Sequence, residues 1–110
     1  MHEYIIVLEK GSQKRGLDRK NTQQIPLNRA MKRQVSLSIW DITPVPPRSI
    51  THPAVFPEQI PWRLIQLYST KGDVVLDPMN GSGQTTKAAK KLGRKFIGID
   101  IRKPYVELAK

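Results

Sequence analysis

The sequence contains no cysteine and only two histidines among its 110 residues. Without cysteine, a disulfide framework and a thiolate metal site are both excluded. Two histidines without a clustered acidic motif argue against a structural zinc ion, so we predict no metal site. A chain free of cysteine also suits a reducing compartment, and we expect a cytoplasmic protein.

Long apolar runs are missing as well. No stretch approaches the ~18 residues needed to span a bilayer. The beginning, MHEYIIVLEK, has neither the basic region nor the long apolar region of a signal peptide. We therefore expect a soluble protein with no membrane partner.

Acidic residues are scarce, with 9 Asp and Glu against 19 Lys and Arg, which gives a net charge of +10. Such an excess favours a polyanionic partner. Nucleic acid is favoured over a membrane surface because no basic amphipathic helix is evident. The length fits one domain with a real core.

The chain divides into three parts. Residues 1–10 form an apolar run rich in β-branched and aromatic residues, which predicts a buried strand. Residues 11–50 are basic and loop-rich, with eight Lys or Arg against two Asp and a possible short helix near residues 28–34. Residues 51–110 have a regular pattern of elements.

That third part predicts an α/β fold. Pro61 suits the first position of a helix over residues 62–69. Further elements are a strand at 74–77, a helix at about 83–92 closed by Gly93, a strand at 95–101 and a helix from 103 to the end. Strand, helix and strand in this order form a βαβ unit with parallel strands.

The turn between the first strand and its helix reads DPMNGSGQTT, from Asp77 to Thr86. Glycines at 81 and 83 let a ligand approach the backbone at the helix start without obstruction by Cβ atoms. Asp100 follows the next strand, 19 positions after Gly81, where a carboxylate can accept hydrogen bonds from both hydroxyls of a ribose. The pair indicates a nucleoside-containing ligand across the strand ends.

The identity of that ligand is narrowed by what the turn lacks. A phosphate-binding P-loop needs a Lys followed by Ser or Thr, which is absent at the required spacing. A dinucleotide turn needs a third glycine where this chain has Thr86, and Asp77 would repel a pyrophosphate. S-adenosylmethionine, with a ribose, an ammonium and a sulfonium, suits the acid better.

Four motifs in order resemble those of the DNA amino-methyltransferases that methylate N6 of adenine or N4 of cytosine. DPMNGSGQTT resembles D-P-F-x-G-S-G-T-T, with Met79 and Gln84 as departures. HPAVFPEQIPWRLI resembles H-P-x-x-F-P-E-x-L, KLGRKFIGIDI resembles L-G-R-x-F-I-G-I-[ED], and HEYIIVLEK resembles H-E-Y-I-L-V-F. The order is similar to that of β-type, permuted members, with the cofactor motifs last.

The resemblance implies a partial Rossmann-like methyltransferase fold and a set of S-adenosylmethionine contacts. Residues implied to bind the cofactor are Asp77, Pro78, Asn80, Gly81, Ser82, Gly83 and Asp100, with His52, Phe56, Pro57 and Glu58 closing over the methionine end. Met79, where the family has an aromatic ring, implies a flexible apolar contact and a weaker site.

The resemblance also makes the basic segment a candidate DNA-recognition region. Its candidate phosphate contacts are Lys14, Arg15, Arg19, Lys20, Arg29, Lys32 and Arg33. The simpler alternative is that these side chains lie on a solvated loop and only increase the solubility of the protein.

The family's catalytic motif, [D/N/S]-P-P-[Y/F], does not occur in the chain, so no catalytic residue is assigned. Its nearest counterpart, TPVPP, lacks both the leading acid or amide and the aromatic ring. We expect a split or truncated methyltransferase that needs a complementing catalytic chain or a homodimer to complete its sheet. Alternatives are an inactive remnant that binds DNA or a partner, and a methyltransferase acting on RNA or a small molecule.

Simpler interpretations of single residues also stay open. The glycine turn could merely end a strand, Asp100 could cap the last helix, and His52 could be a hydrogen-bonded turn residue. Trp62 and Tyr68 are best explained as packing residues.

Overall fold

A computed structural model describes residues 3–11, 29, 30, 33, 37–44 and 56–109. Arg29, Ala30 and Arg33 are helical, in agreement with the short helix predicted near them. The regular elements of the second half are α1 (Gln59–Tyr68), β1 (Val74–Asp77), α2 (Gln84–Lys91), β2 (Lys95–Gly98) and α3 (Lys103–Leu108). None of the helices in the described part of the chain is long and apolar enough to cross a membrane.

The two strands form the predicted parallel βαβ unit. Val74 pairs with Lys95 and Asp77 with Gly98, and α2 provides the crossover between the strands. Parallel pairing places the carboxyl ends of both strands at one edge, so the glycine turn after β1 and Asp100 after β2 come together there. The α/β class predicted from the sequence is confirmed.

A small apolar core lies between the helices and the sheet. Ile65 of α1 and the three α2-side residues Ala88, Ala89 and Leu92 are buried, with Trp62 and Val75 packed against them. The two alanines have no exposed side-chain surface, because small residues let α2 approach α1 and the sheet closely. Trp62 is thus a packing residue as predicted, whereas Tyr68 is more than half exposed.

Buried Arg94, just before β2, fastens the end of α1 to the sheet. Its Nε donates to Ser69 Oγ at 3.0 Å and its Nη2 to the Ser69 carbonyl at 2.8 Å. Its Nη1 donates to the Leu92 carbonyl at 2.7 Å. Burial lowers the pKa of Arg94 below its ordinary value, and the charge of Asp73 offsets only part of this decrease. The guanidinium supplies donors to carbonyls that the helix ends leave without partners.

Three predicted boundaries need correction, and the first is the last helix, which ends at Leu108 rather than at the end of the chain. Helix α1 begins at Gln59, three residues before the predicted start, because the Glu58 carbonyl already accepts the Trp62 N–H at 3.1 Å. Pro61 lies within the first turn, where its missing N–H breaks no helical bond. Strand β2 ends at Gly98 rather than at residue 101, since its partner β1 ends opposite it at Asp77.

The prediction of a buried strand over residues 1–10 is wrong for the described part. Residues 3–10 belong to no helix or strand and are exposed. Ile5 and Val7 are half-exposed, while Ile6 and Leu8 are almost fully exposed to solvent. The segment lies beside Leu64, Tyr68 and Val75 without joining a ladder. An apolar run rich in β-branched residues forms a strand only where a neighbouring strand supplies hydrogen-bond partners.

One face of the sheet is covered and the other is open. Val75 faces the helical core, so its neighbours Val74 and Leu76 point to the opposite side. Both are more than half exposed, as is Ile97, which is paired with Leu76. The apolar strands are thus not fully buried: exposed and half-buried residues alternate along β1, and all four residues of β2 are exposed.

Candidate cofactor-binding site

The turn after β1 is held to the continuation of β2 by backbone bonds. The Ile99 N–H donates to the Asp77 carbonyl at 2.9 Å, and the Asn80 N–H donates to the Ile99 carbonyl at 2.8 Å. The Asp77 carboxylate oxygen Oδ1 accepts from the Met79 N–H at 3.0 Å. Asp77 thus shapes the beginning of the turn, as Asp residues commonly do.

The glycines at 81 and 83 both have a positive φ, of 50° and 83°. Gly83 caps α2 and is packed so tightly that a Cβ there would lie 2.8 Å from the Cβ of Ala109. Thr86 Oγ1 donates to the Gly83 carbonyl at 3.1 Å. The turn needs glycine here for its backbone conformation and for its contact with the end of α3.

Asp100 joins the turn to the β2–α3 connection. Its Oδ2 accepts a hydrogen bond from the Gly81 N–H at 2.8 Å, and its Oδ1 accepts one from the Arg102 N–H at 2.8 Å. The cap of α3 is Arg102, whose side chain makes no capping bond, so Asp100 is not itself the capping residue. Both carboxylate oxygens therefore act as acceptors at the edge where the glycine turn meets the β2–α3 connection.

A cleft of about 510 Å³ opens at this edge of the sheet, within the size range of small-molecule sites. It is bounded by the glycine turn, by the β2–α3 connection and by one aromatic side chain that precedes α1. Its lining residues are Phe56, Pro78, Met79, Asn80, Gly81, Ser82, Gln84, Asp100, Ile101, Arg102 and Tyr105.

The structure brings six of the predicted cofactor residues together in this cleft: Phe56, Pro78, Asn80, Gly81, Ser82 and Asp100. Asp77, Gly83 and Pro57 are adjacent in sequence to lining residues but do not line the cleft, and neither does Glu58, two positions after Phe56. His52 lies outside the described residues, so its predicted role stays a prediction. For the residues that do line the cleft, contact with the cofactor also stays a prediction.

Glu58 has a different environment from the one predicted. Its Oε1 is 2.6 Å from Lys91 Nζ and its Oε2 is 3.1 Å from Lys87 Nζ. Partial burial alone would raise the pKa of Glu58, but hydrogen bonds and charge from both lysines lower it below the ordinary value. The carboxylate therefore binds α2 rather than facing the cleft.

Four lining residues escaped the sequence reasoning: Gln84, Ile101, Arg102 and Tyr105. The Arg102 guanidinium carbon lies 5.6 Å from the Tyr105 ring centre, and its Nη1 donates to the Tyr105 hydroxyl at 3.3 Å. A usable signal was the aromatic residue in the first turn of the helix after Asp100, because that turn follows the strand end into the cleft.

The candidate DNA contacts are described only in part. Arg29 and Arg33 are exposed and helical, whereas Lys14, Arg15, Arg19, Lys20 and Lys32 lie outside the described residues. No group of three or more His, Cys, Asp or Glu side chains suited to a metal ion occurs among the residues that the structure describes.

The fold and the cleft define a partial Rossmann-like α/β protein of the methyltransferase type. A family model described as DNA methylase (N6_N4_Mtase) matches residues 1–110. The chain belongs to this DNA methylase family.

Individual proteins with similar sequences are methyltransferases as well. Type II methyltransferase M.MjaI of Methanocaldococcus jannaschii is 37% identical over 96% of this chain and 37% of its own length. Type II methyltransferase M2.LlaDCHI of Lactococcus lactis subsp. cremoris is 51% identical over 54% of this chain and 22% of its own length. The chain thus spans well under half the length of these relatives.

A solved structure is similar as well. TTHA0409 of Thermus thermophilus, described as a DNA modification methylase and solved in complex with S-adenosyl-L-methionine, matches with a TM-score of 0.66. It is 31% identical, and the match covers 92% of this chain and 37% of that one.

Proposed function

We propose that this chain is the S-adenosylmethionine-binding part of a DNA methyltransferase that acts on the exocyclic amine of adenine (N6) or cytosine (N4). The observation that carries the proposal is the Asp100 carboxylate bonded to the Gly81 N–H at the edge of an open cleft. The S-adenosylmethionine in the TTHA0409 structure supports the choice of ligand.

The chemistry of the lining fits this ligand. Asp100 lies at the carboxyl end of β2, where a carboxylate is the group suited to accept hydrogen bonds from ribose hydroxyls. Phe56, Ile101 and Tyr105 supply apolar and aromatic surface suited to a purine ring. The glycines of the turn leave its backbone accessible. When bound, the ligand would supply an activated methyl group, and this chain's residues would hold and orient it.

Calorimetric titration with S-adenosylmethionine tests the site. The chain should bind it, and Asp100→Ala should weaken binding at least tenfold, the equivalent of about 1.4 kcal/mol. Asp41→Ala is the matched control, since Asp41 is an exposed carboxylate that does not line the cleft. No binding by the intact chain, or undiminished binding by Asp100→Ala, contradicts the proposal.

The base-presenting motif would have to come from another segment or chain. The 110 residues contain no [D/N/S]-P-P-[Y/F], so the chain alone should transfer no methyl group to DNA. The open, apolar face around Val74, Leu76 and Ile97 is the surface that we assign to a complementing catalytic chain or a second copy. A cooperative thermal melt of the purified chain that is unchanged by dilution would count against this assignment.

DNA is the proposed macromolecular substrate. The exposed Arg29 and Arg33 belong to a segment with eight basic residues and two acidic ones, which favours phosphate contact. Binding to duplex DNA should then weaken with salt, with a slope of about −0.9 per neutralised phosphate. An affinity for duplex DNA that does not change with salt concentration would contradict the proposed phosphate contacts.

The missing motif favours a second candidate, an inactive remnant that binds DNA or a partner protein. The two candidates differ at the cofactor. A remnant retained only for binding would show salt-dependent DNA affinity but no affinity for S-adenosylmethionine.

A further inference from the structure

Phe56 stands apart from the other residues of the cleft. The rest of the described lining comes from residues 78–84 and 100–105, whereas Phe56 precedes α1. Its side chain is 41% exposed, so the hydrophobic core does not hold it in place. The position of this wall of the cleft must depend on the residues that follow Phe56.

Those residues are anchored in two ways. The Pro57 carbonyl accepts the Ile60 N–H at 3.1 Å, and Glu58 caps the start of α1. The Glu58 carboxylate then reaches across to α2, where each of its oxygens contacts a different lysine. Lys87 and Lys91 are four residues apart and therefore lie on one face of α2, which presents both ammonium groups to one carboxylate.

Helix α2 is also the continuation of the glycine turn. Gly83 is its cap, and Gln84, its first residue, lines the cleft. The ion pairs of Glu58 therefore connect the segment that carries Phe56 to the helix whose first residue also lines the cleft. A link of this kind restrains the position of one lining segment relative to the other.

We propose that Lys87 and Lys91 are positioning residues for the cleft, which act through Glu58 to hold Phe56 where the ligand needs it. The inference rests on the proposed function, because the ligand is the one assigned there. It gives Glu58 a role in the site that requires no contact with the ligand.

The expected effect is modest. The side chains of Lys87 and Lys91 are 57% and 55% exposed and that of Glu58 is 25% exposed, so solvent and salt screen the pairs. Removing the pairs should weaken binding of S-adenosylmethionine about two- to fivefold at low ionic strength. The difference should shrink as salt rises.

The test compares Kd values for S-adenosylmethionine between the unmodified chain and the double variant Lys87→Met with Lys91→Met. Methionine keeps the apolar stem and removes the charge. The conservative double variant Lys87→Arg with Lys91→Arg keeps the pairs and should bind like the unmodified chain. Lys90→Met is the matched control, since Lys90 is an exposed lysine of the same helix that is not paired with Glu58.

A second background separates positioning from general stability. In a Phe56→Ala chain the lysines have no ring to position, so the double methionine variant should cause no further loss of affinity. Equal affinity of the unmodified chain and the double methionine variant overturns the inference, as does an equal loss in the Phe56→Ala background.

Failure of the proposed function has a different signature, because the unmodified chain would then not bind S-adenosylmethionine at all. The positioning role would still be tested by the ring proton signals of Phe56 in nuclear magnetic resonance spectra. They should shift in Glu58→Gln and in the double methionine variant but not in Lys90→Met. Unchanged signals in all three variants would refute it.

Discussion

The Gly81 N–H donates a hydrogen bond to the Asp100 Oδ2 at 2.8 Å, across 19 residues of sequence. The bond joins the turn after β1 to the connection after β2. The same carboxylate also accepts the Arg102 N–H. One side chain therefore joins two of the segments that line the cleft at the carboxyl edge of the sheet.

Replacing Asp100 should destabilise the chain as well as the site. Asp100→Ala removes the acceptor of two backbone donors, which should lower the free energy of unfolding by about 1–3 kcal/mol. Asp100→Asn keeps one acceptor oxygen and should lose less. Urea unfolding followed by circular dichroism measures the stability of both variants. An unchanged midpoint for Asp100→Ala would show that these two hydrogen bonds do not contribute to stability.

Gly98 should tolerate no side chain while Asn80 is present. A Cβ at Gly98 would lie 2.6 Å from Asn80 Nδ2 and 2.9 Å from Thr86 Cγ2. Gly98→Ala should therefore cost about 1–3 kcal/mol of unfolding free energy, as overpacking does.

The control for this prediction is a double variant. Asn80→Ala removes the nearest clashing atoms, so Gly98→Ala should cost less in that background. Equal costs in the two backgrounds, measured by urea unfolding, would mean that Asn80 is not the source of the clash.

Arg94 should be the costliest cation to remove from the second half. Arg94→Met leaves the half-buried Ser69 carbonyl and the buried Leu92 carbonyl without their donors, and we expect a loss of about 2–3 kcal/mol in the free energy of unfolding. Arg94→Lys should recover only part of it, because one ammonium cannot reproduce the fork of a guanidinium. Lys95→Met, at an exposed neighbour, should change stability by no more than about 0.5 kcal/mol.

The Glu58 ion pairs should weaken in acid. The two lysines hold the pKa of Glu58 below its ordinary value. A depressed folded-state pKa means that the stabilisation is fully present above the unfolded pKa, about 4.3, and disappears as pH falls through the folded pKa. The stability difference between the chain and Glu58→Gln should thus be constant near neutral pH and vanish in strong acid. A difference that is independent of pH would contradict this assignment.

Much of the cleft could be predicted because its determinants are local. The apolar run before Asp77 and the glycines after it specify a strand that turns into a helix, and the parallel βαβ geometry then brings Asp100 to the turn. Phe56 was reached by a different route, through the similarity of HPAVFPE to a methyltransferase motif. Nothing in its own neighbourhood indicates that it faces the cleft.

Sequence alone thus determined the βαβ unit, the glycine turn and the alignment of Asp100 with it, since helix and strand periodicity and glycine backbone freedom act over a few residues. Tertiary structure decided the rest. It turned Glu58 away from the cleft towards two lysines, brought Tyr105 into the lining, buried Arg94, and left residues 3–10 without a strand partner. Each of these outcomes depends on which distant groups come within reach of one another after the chain folds, and residue spacing along the chain does not contain that information.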